Sequence, residues 1–556
     1  MAVKLGEPFK IGSPNFEKLD FDLALKRVKN DLKTDFIYAP HLGLIFSKAG
    51  QELINALKAD LSNLGYAPGL PLTMEVPKSF RIPVGATKRL GPAYTRPGSI
   101  LGPKDRLMYQ AFADIAAPII DSGLDTARSF SHQLSAEKAE TMFQPTRKCW
   151  NDLQSKLAEH SNSDDVQYVM RLDIANYFGS INQHLLINVL SDAGLEKWAS
   201  ERLEVTLTAL TGARSSRAII QGVFPSDLFG NFYMAPVDRF LDDLGVRSAR
   251  YVDDLYIFVE SVDAADKLMR DLIPFLRSYD LSLNESKSSI LPKNLLATME
   301  PDLEALFQAA VDEISDQFDE DDFDADYGFQ SEWEDEDEEE EGGEERHHDI
   351  ELSATIHLFN SMDQYPGQEE NVERFCLPLF AKADSPHAIS HVLDAFRKRP
   401  AMAQIYSSYL ANFLDNPMVR EFMNGLIEDE MLHDWQKMWV LAAMMLGERP
   451  EDAQIKIAFD LLKDGNRHEA LRAVAGYFVG RFGDNTRRNN LRGTYIQHTP
   501  YIQAAIYASS RFWPGVEAGN ARATWGANGL LNQLLTKAMA KPKATNPPEP
   551  TSPPAP

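Results

Sequence analysis

Around residue 250 the chain reads Ala249-Arg-Tyr-Val-Asp-Asp-Leu-Tyr-Ile-Phe-Val259. Apolar and aromatic residues flank an adjacent acid pair, the pattern of a strand, a tight turn and a second strand. Some eighty residues earlier, the apolar run Tyr168-Val-Met-Arg-Leu delivers a single carboxylate, Asp173, at a predicted strand end, and Tyr177 and Phe178 follow it. Between these segments, Gln221-Gly222-Val-Phe-Pro225-Ser226 leads into an apolar stretch from Phe232 to Leu244. Gly222 allows close backbone approach, and Pro225 suits the start of a helix. Beyond the hairpin, Leu281-Ser-Leu-Asn284-Glu-Ser-Lys287 forms a polar turn that presents a lysine. From about residue 352 the pattern turns helical: Met402, Ile405, Tyr406, Tyr409, Leu410, Phe413 and Leu414 share one helix face. Asp415-Asn416-Pro417 ends that helix and starts another, and further helices begin near 434, 467 and 499. A spacing in the mid-thirties suits helix pairs stacked as a HEAT-like solenoid; an irregular helical bundle is the alternative.

Composition changes this picture in two places. The 556 residues carry a net charge of −26, but residues 312–351 hold twenty-two acids against one base, Arg346. The remaining chain has 60 acids and 55 bases, so the hairpin region is not itself strongly acidic. An acid run of this kind repels itself and buries little, which predicts a disordered linker; a mimic of nucleic acid seated in a basic channel is the second reading. The opposite charge gathers at residues 76–106, where Lys78, Arg81, Lys88, Arg89, Arg96, Lys104 and Arg106 face one acid, Asp105. Such a stretch suits a triphosphate or a nucleic-acid backbone, or is a solvated basic loop. Only Cys149 and Cys376 occur, too few for a disulfide framework or a cysteine-based zinc site. No apolar secretory core opens the chain, and no stretch approaches the ~20 apolar residues of a membrane helix, so a cytoplasmic protein is expected.

Asp173, Asp253 and Asp254 are the hard oxygen donors that divalent metals need. The full set, an Asp followed by aromatics, Gln-Gly-x-x-Pro-Ser, aromatic-x-Asp-Asp and Leu-x-Leu-Asn-x-x-Lys, resembles the palm motifs of the reverse transcriptases in their usual order. Thr95-Arg96-Pro97 and Pro103-Lys-Asp105-Arg106 look like the fingers, so the resemblance covers roughly residues 70–295.

The resemblance implies an α+β right-hand polymerase palm and fingers in the N-terminal half, joined to an all-α HEAT-like C-terminal domain. Together with the charge, periodicity and composition of the rest, it divides the chain into an N-terminal helical extension over 1–70, fingers and palm over 71–300, an acidic disordered linker over 301–351, a helical-repeat domain over 352–540 and a disordered tail over 541–556. It implies an RNA-directed DNA polymerase using two Mg2+ ions, with Mn2+ as a substitute. Asp173 and Asp253 would bridge the ions, with Asp254 as the auxiliary third. Lys287 would protonate the departing pyrophosphate, or is an ordinary surface lysine. Phe178 would be the steric gate against a ribose 2′-OH, unless it is core and Tyr177 lines the pocket. Gln221, Gly222 and Ser226 would lie beneath the template base and nucleotide, Tyr251 and Val252 beneath the primer end, and Arg96, with Lys88 and Arg89, beside the triphosphate. A palm joined to helical repeats also resembles the bacterial defence-associated, abortive-infection reverse transcriptases. That implies a bacterial cytoplasmic enzyme making DNA against phage. Its expected partners are deoxynucleoside triphosphates, a nucleic acid template or noncoding RNA, and a partner reverse transcriptase or further copies of itself, with no membrane. The alternatives are a retroelement enzyme copying its own RNA, template-independent or protein-primed DNA synthesis, and a scaffold without catalysis.

Overall fold

The structure is a computed structural model that describes residues 13–85, 90–212, 216–296, 344–365, 367–447 and 449–540, with scattered positions between 303 and 310. Lys88 and Arg89, the acidic segment 312–343 and the tail 541–556 lie outside the described residues. Packing divides the chain into two compact units, one of Met1–Ile37 and Leu61–Glu448, the other of Tyr38–Asp60 and Arg449–Pro556. The units therefore do not follow chain order.

The first unit contains two sheets. Strands β1 (Leu72–Pro83) and β2 (Leu90–Ile100) form an antiparallel ribbon that pairs Val76 with Arg96. Strands β3 (Tyr168–Leu172), β4 (Arg247–Tyr251), β5 (Asp254–Val259) and β6 (Ser289–Pro292) form an antiparallel sheet in the order β4-β5-β3-β6. The sheet packs by alternation: Val169, Ala249, Tyr256 and Phe258 point to a helix over Thr146–Ser161, where Leu153 and Leu157 complete one core with Phe130, Val166 and Leu296. A helix over Val262–Ser278 buries Ala265, Leu268, Leu272 and Leu276, three or four residues apart, and exposes its charged face.

Buried ion pairs tie the N-terminal helices to this frame. Arg106, in the helix Pro103–Gly123, donates to Asp31 at 2.6 Å and Asp35 at 2.8 Å with almost no exposure. Asp31 also accepts the N–H of Phe224 at 3.2 Å, which caps the helix Phe224–Tyr233 behind Gln221-Gly222. Arg106 thus leaves the set of basic residues open to a ligand; its charge is already neutralised by two carboxylates.

The second half is helical, as its periodicity predicts. Helices begin at Asp434, Glu469 and Pro500, within two residues of the expected starts, and Asn416 caps the helix Pro417–Glu428 by accepting from the N–H of Met418. The helix read through Leu414 ends sooner, at Ala411. The helix Glu344–Asn360 begins inside the span expected as linker, and its buried residues Ala354, Leu358 and Phe359 lie just past that span. Helical residues up to 447 belong to the first unit and those from 449 to the second. Within the second unit, Pro40–Lys48 packs against Pro500–Ser509 and Gly529–Ala540. The helices Glu469–Phe482 and Pro500–Ser509 approach through Gly476 and Gly480: a Cβ at Gly480 would stand 1.8 Å from Ser509 Oγ. Among the described residues no helix is long and apolar enough to cross a membrane.

Candidate active site

The β4–β5 hairpin closes with Tyr251 opposite Asp254 and a two-residue loop, Val252-Asp253. Val252 has φ +53°, a left-handed conformation that a β-branched side chain resists. Such strain, about 1–3 kcal/mol, persists only where the surroundings over-determine the geometry. They do here. The N–H of Val252 donates to Ser131 Oγ at 2.8 Å, and its carbonyl accepts from Arg250 Nη1 at 3.1 Å. Arg250 is wholly buried and makes three bonds of 2.8–3.0 Å to the Asp238 carboxylate. It also donates to Asn231 Oδ1 at 2.5 Å and to the Asn231 carbonyl at 3.0 Å. Asn231 in turn donates to the Ser131 carbonyl at 2.7 Å and accepts from Ser129 Oγ at 2.9 Å. A closed polar network under the loop therefore aims Asp253 and Asp254.

The third carboxylate arrives by register. Leu172 pairs with Leu255, so one further step along the same ladder sets Asp173 opposite Asp254. The Leu281–Lys287 turn holds it there: Asp173 Oδ2 accepts from Asn284 Nδ2 at 2.8 Å, Oδ1 from Lys287 Nζ at 3.3 Å, and the Asp173 carbonyl from the Asn284 N–H at 2.7 Å. Burial, and then the negative charges of Asp254 and Asp173, push the Asp253 carboxyl up to about 7. On the other side, burial and the positive charges of Arg96 and Lys287 lower the Lys78 ammonium, while Asp173 and Asp253 oppose that shift. The ribbon β1–β2 thus brings Lys78 within electrostatic reach of Asp173 and Asp253, with Arg96 close to Lys78.

A divalent cation fits this donor set chemically. Three carboxylates of like charge repel one another, and a hard cation relieves that repulsion. Among the described residues no three His, Cys, Asp or Glu side chains already stand at ligating spacing. In this arrangement one oxygen of Asp173 carries the Lys287 ammonium instead.

The remaining predicted residues separate by burial. Tyr177 is core: its hydroxyl donates to the Gly230 carbonyl at 2.5 Å. Phe178 is half-buried, edge-on to Tyr177, with its ring over Gly230. Ser226 is fully buried and its hydroxyl is taken up by Tyr109 at 2.9 Å, so it packs helix on helix rather than facing a ligand. Gln221 is half-buried, and Tyr251 lies edge-on to Trp150 at 5.4 Å. Gly222 has φ +84°, and a Cβ there would stand 2.5 Å from the Phe36 ring. Gly222→Ala is expected to cost more than about 1 kcal/mol, read as a lower urea midpoint. In the basic stretch, Arg81 is spent on the carbonyls of Gly91 and Lys398, at 2.7 and 2.8 Å, whereas the Arg96 guanidinium lies 4.2 Å over the Phe36 ring. Sequence reasoning missed Phe36 and the set Ser131, Asn231, Asp238 and Arg250, and it gave Lys78 no separate weight. The signal for Arg250 was an arginine directly before the Tyr-Val-Asp-Asp tetrad, at a strand position with the hairpin's own apolar neighbours Ala249 and Tyr251 on either side.

Residues 95–299 match the family described as reverse transcriptase (RNA-dependent DNA polymerase). No curated protein matches the chain. Among solved structures, telomerase from Candida albicans in complex with the TWJ fragment of telomeric RNA aligns at 10% identity and a TM-score of 0.29, over 65% of this chain and 62% of that one. Apo telomerase from Candida tropicalis aligns at 11% identity and a TM-score of 0.29, over 73% of each chain. The chain thus spans less than two thirds of the length of the first of these. The family match places a domain of the reverse-transcriptase type over residues 95–299, largely in the N-terminal half of the chain.

Proposed function

We propose that this chain is a DNA polymerase of the reverse-transcriptase type that acts in bacterial antiphage defence, adding deoxynucleotides to a growing strand. The observation that carries the reading is the convergence of Asp173, Asp253 and Asp254 with Lys287 and Lys78, with Arg96 beside Lys78. Acid and base of this kind, side by side, suit a metal-bound triphosphate. Asp173 and Asp253 are the residues that would hold two Mg2+ ions, with Asp254 beside them and Mn2+ as a substitute. Bound there, such ions supply charge to the attacking 3′-hydroxyl and to the departing pyrophosphate.

Each protein group then has a defined task. Arg96 and Lys78 neutralise the triphosphate and hold it in line. Lys287, 3.3 Å from Asp173 Oδ1, would give a proton to the departing pyrophosphate. The half-buried Phe178 ring crowds a 2′-hydroxyl. Phe178→Ala is therefore expected to raise ribonucleotide use relative to deoxynucleotide use at least about tenfold, a difference of about 1.4 kcal/mol. Labelled ribo- and deoxynucleotides in parallel reactions read the ratio, and an unchanged ratio moves the gate elsewhere.

The defence role rests on the pairing of this polymerase half with a long helical half, which as a HEAT-like array would offer surface to RNA, to a partner reverse transcriptase or to further copies of the chain. The purified protein, given Mg2+ and labelled deoxynucleotides with no added template, should extend DNA, and sequencing the product identifies what it copies. Cells carrying the protein should resist phage, and cells carrying Asp253→Asn should not. Equal plating on both would remove DNA synthesis from the defence.

A further inference from the structure

Phe36 is met by three distant parts of the chain. Arg96 lies 4.2 Å over its ring. Gly222 packs so closely against the ring that any Cβ there would come within 2.5 Å of Cε2 and 2.7 Å of Cδ2. Gly98, two residues beyond Arg96, leaves 3.3 Å to the Phe36 Cβ for a side chain it does not have. The Phe36 carbonyl accepts two indole N–H groups, from Trp435 at 2.6 Å and Trp439 at 3.3 Å. These tryptophans are one turn apart on the helix Asp434–Met444, and all the residues belong to the first compact unit.

An ordinary core phenylalanine needs none of these features. It would be fully buried among aliphatic side chains, whereas Phe36 is half-buried and meets a guanidinium and two glycines. Its own neighbours fix its backbone: Asp35 is pinned by Arg106 and Ile37 is buried. A double hydrogen bond to one carbonyl fixes it a second time, from a helix that lies beyond the acidic segment.

We propose that Phe36 is a positioning residue for nucleotide binding: its ring sets Arg96 toward the triphosphate and backs the Gly222 turn. Trp435 and Trp439 set Phe36, so nucleotide affinity depends on a helix some four hundred residues away. This inference rests on the polymerase reading, since only there does Arg96 meet a triphosphate. The ring gives Arg96 a preferred plane through a cation–π contact. Losing it leaves the charge in place but removes that preferred plane, so it weakens nucleotide binding while the carboxylates that do the chemistry stay as they are.

The test is a double-mutant cycle on the full chain, with binding of labelled dTTP in Mg2+ as one readout and KM and kcat for incorporation as the other. Phe36→Leu keeps apolar volume and removes the π face. It is expected to raise both Kd and KM about three- to thirtyfold, with kcat within about twofold. In an Arg96→Ala background the same substitution should add almost nothing, because the ring acts through Arg96. Trp435→Phe with Trp439→Phe keeps an aromatic ring at each position, removes both N–H groups and should raise Kd in the same direction. Additive losses across the cycle, or tryptophan variants that bind as the parent does, would overturn the inference even if Phe36→Leu folds poorly. Equal dTTP binding by the parent and Phe36→Leu would overturn it alone. A parent protein that binds no triphosphate would sink the polymerase reading, and this inference with it.

Discussion

Replacing Asp253 and Asp254 together by asparagine is expected to lower deoxynucleotide incorporation at least about a hundredfold. A single transition-state donor is worth about 2.7–4 kcal/mol, and two carboxylates aimed at the same charge are worth no less. The loss should not come from unfolding. Because burial, Asp254 and Asp173 push Asp253 up to about 7, the folded protein holds a proton there that the unfolded chain releases near pH 4. The native state thus binds more protons than the unfolded one between about pH 4 and 7, and stability falls as pH rises through that window. Above it the charged Asp253 is a net cost, which asparagine removes. In metal-free buffer at pH 8 the double variant should melt no lower than the parent. Full incorporation by that variant would end the polymerase reading; a much lower melting temperature would mean that the carboxylates hold the fold.

Arg250→Met should unfold the protein far more readily, by about 3–5 kcal/mol, because it leaves the Asp238 carboxylate buried without its counter-charge. Asp238 itself is almost fully buried, so water cannot take the place of the guanidinium. Denaturant titration reads the loss as a lower midpoint. The double variant Arg250→Met, Asp238→Leu should regain much of it, since two apolar groups need no partners. Activity should not return with stability. The Val252 carbonyl would then lose its bond from Arg250, Asn231 Oδ1 would keep only its serine donors, and a valine at φ +53° would relax away from the geometry that aims Asp253. Recovery of both together would show that the loop needs no anchor from Arg250.

The parts of the site that could be read from the chain are those built from neighbours. The residues around the acid pair carry the pattern of a hairpin, which the β4–β5 pairing forms, and the apolar run before Asp173 forms a strand that pairs with β5. Helix starts at Asp434, Glu469 and Pro500 followed from local periodicity and caps for the same reason. What could not be read depends on distant partners. Among the basic residues of 76–106, charge alone made Arg106 and Lys78 equivalent. Burial against Asp31 and Asp35 silences the first, while the ribbon β1–β2 carries the second to the carboxylates. Ser226 matched a ligand-facing motif, yet its hydroxyl meets Tyr109, more than a hundred residues away. Phe36 carried no motif at all, and its meaning lies in residues 96, 222, 435 and 439.

The passage of Tyr38–Asp60 into the unit formed by Arg449–Pro556 has a bearing on how this gene can change. The chain crosses between units three times, so no single recombination point exchanges one unit whole. A stop codon near residue 449 would strip the partners from Pro40–Lys48 and leave Leu42, Ile45 and Phe46, all buried in the intact protein, facing water. A lineage that gained or lost the second unit had to alter both segments together. The two halves should therefore be inherited as one block, their substitutions correlated between residues 38–60 and 449–540, while the acidic segment between 312 and 343 is free to drift in length.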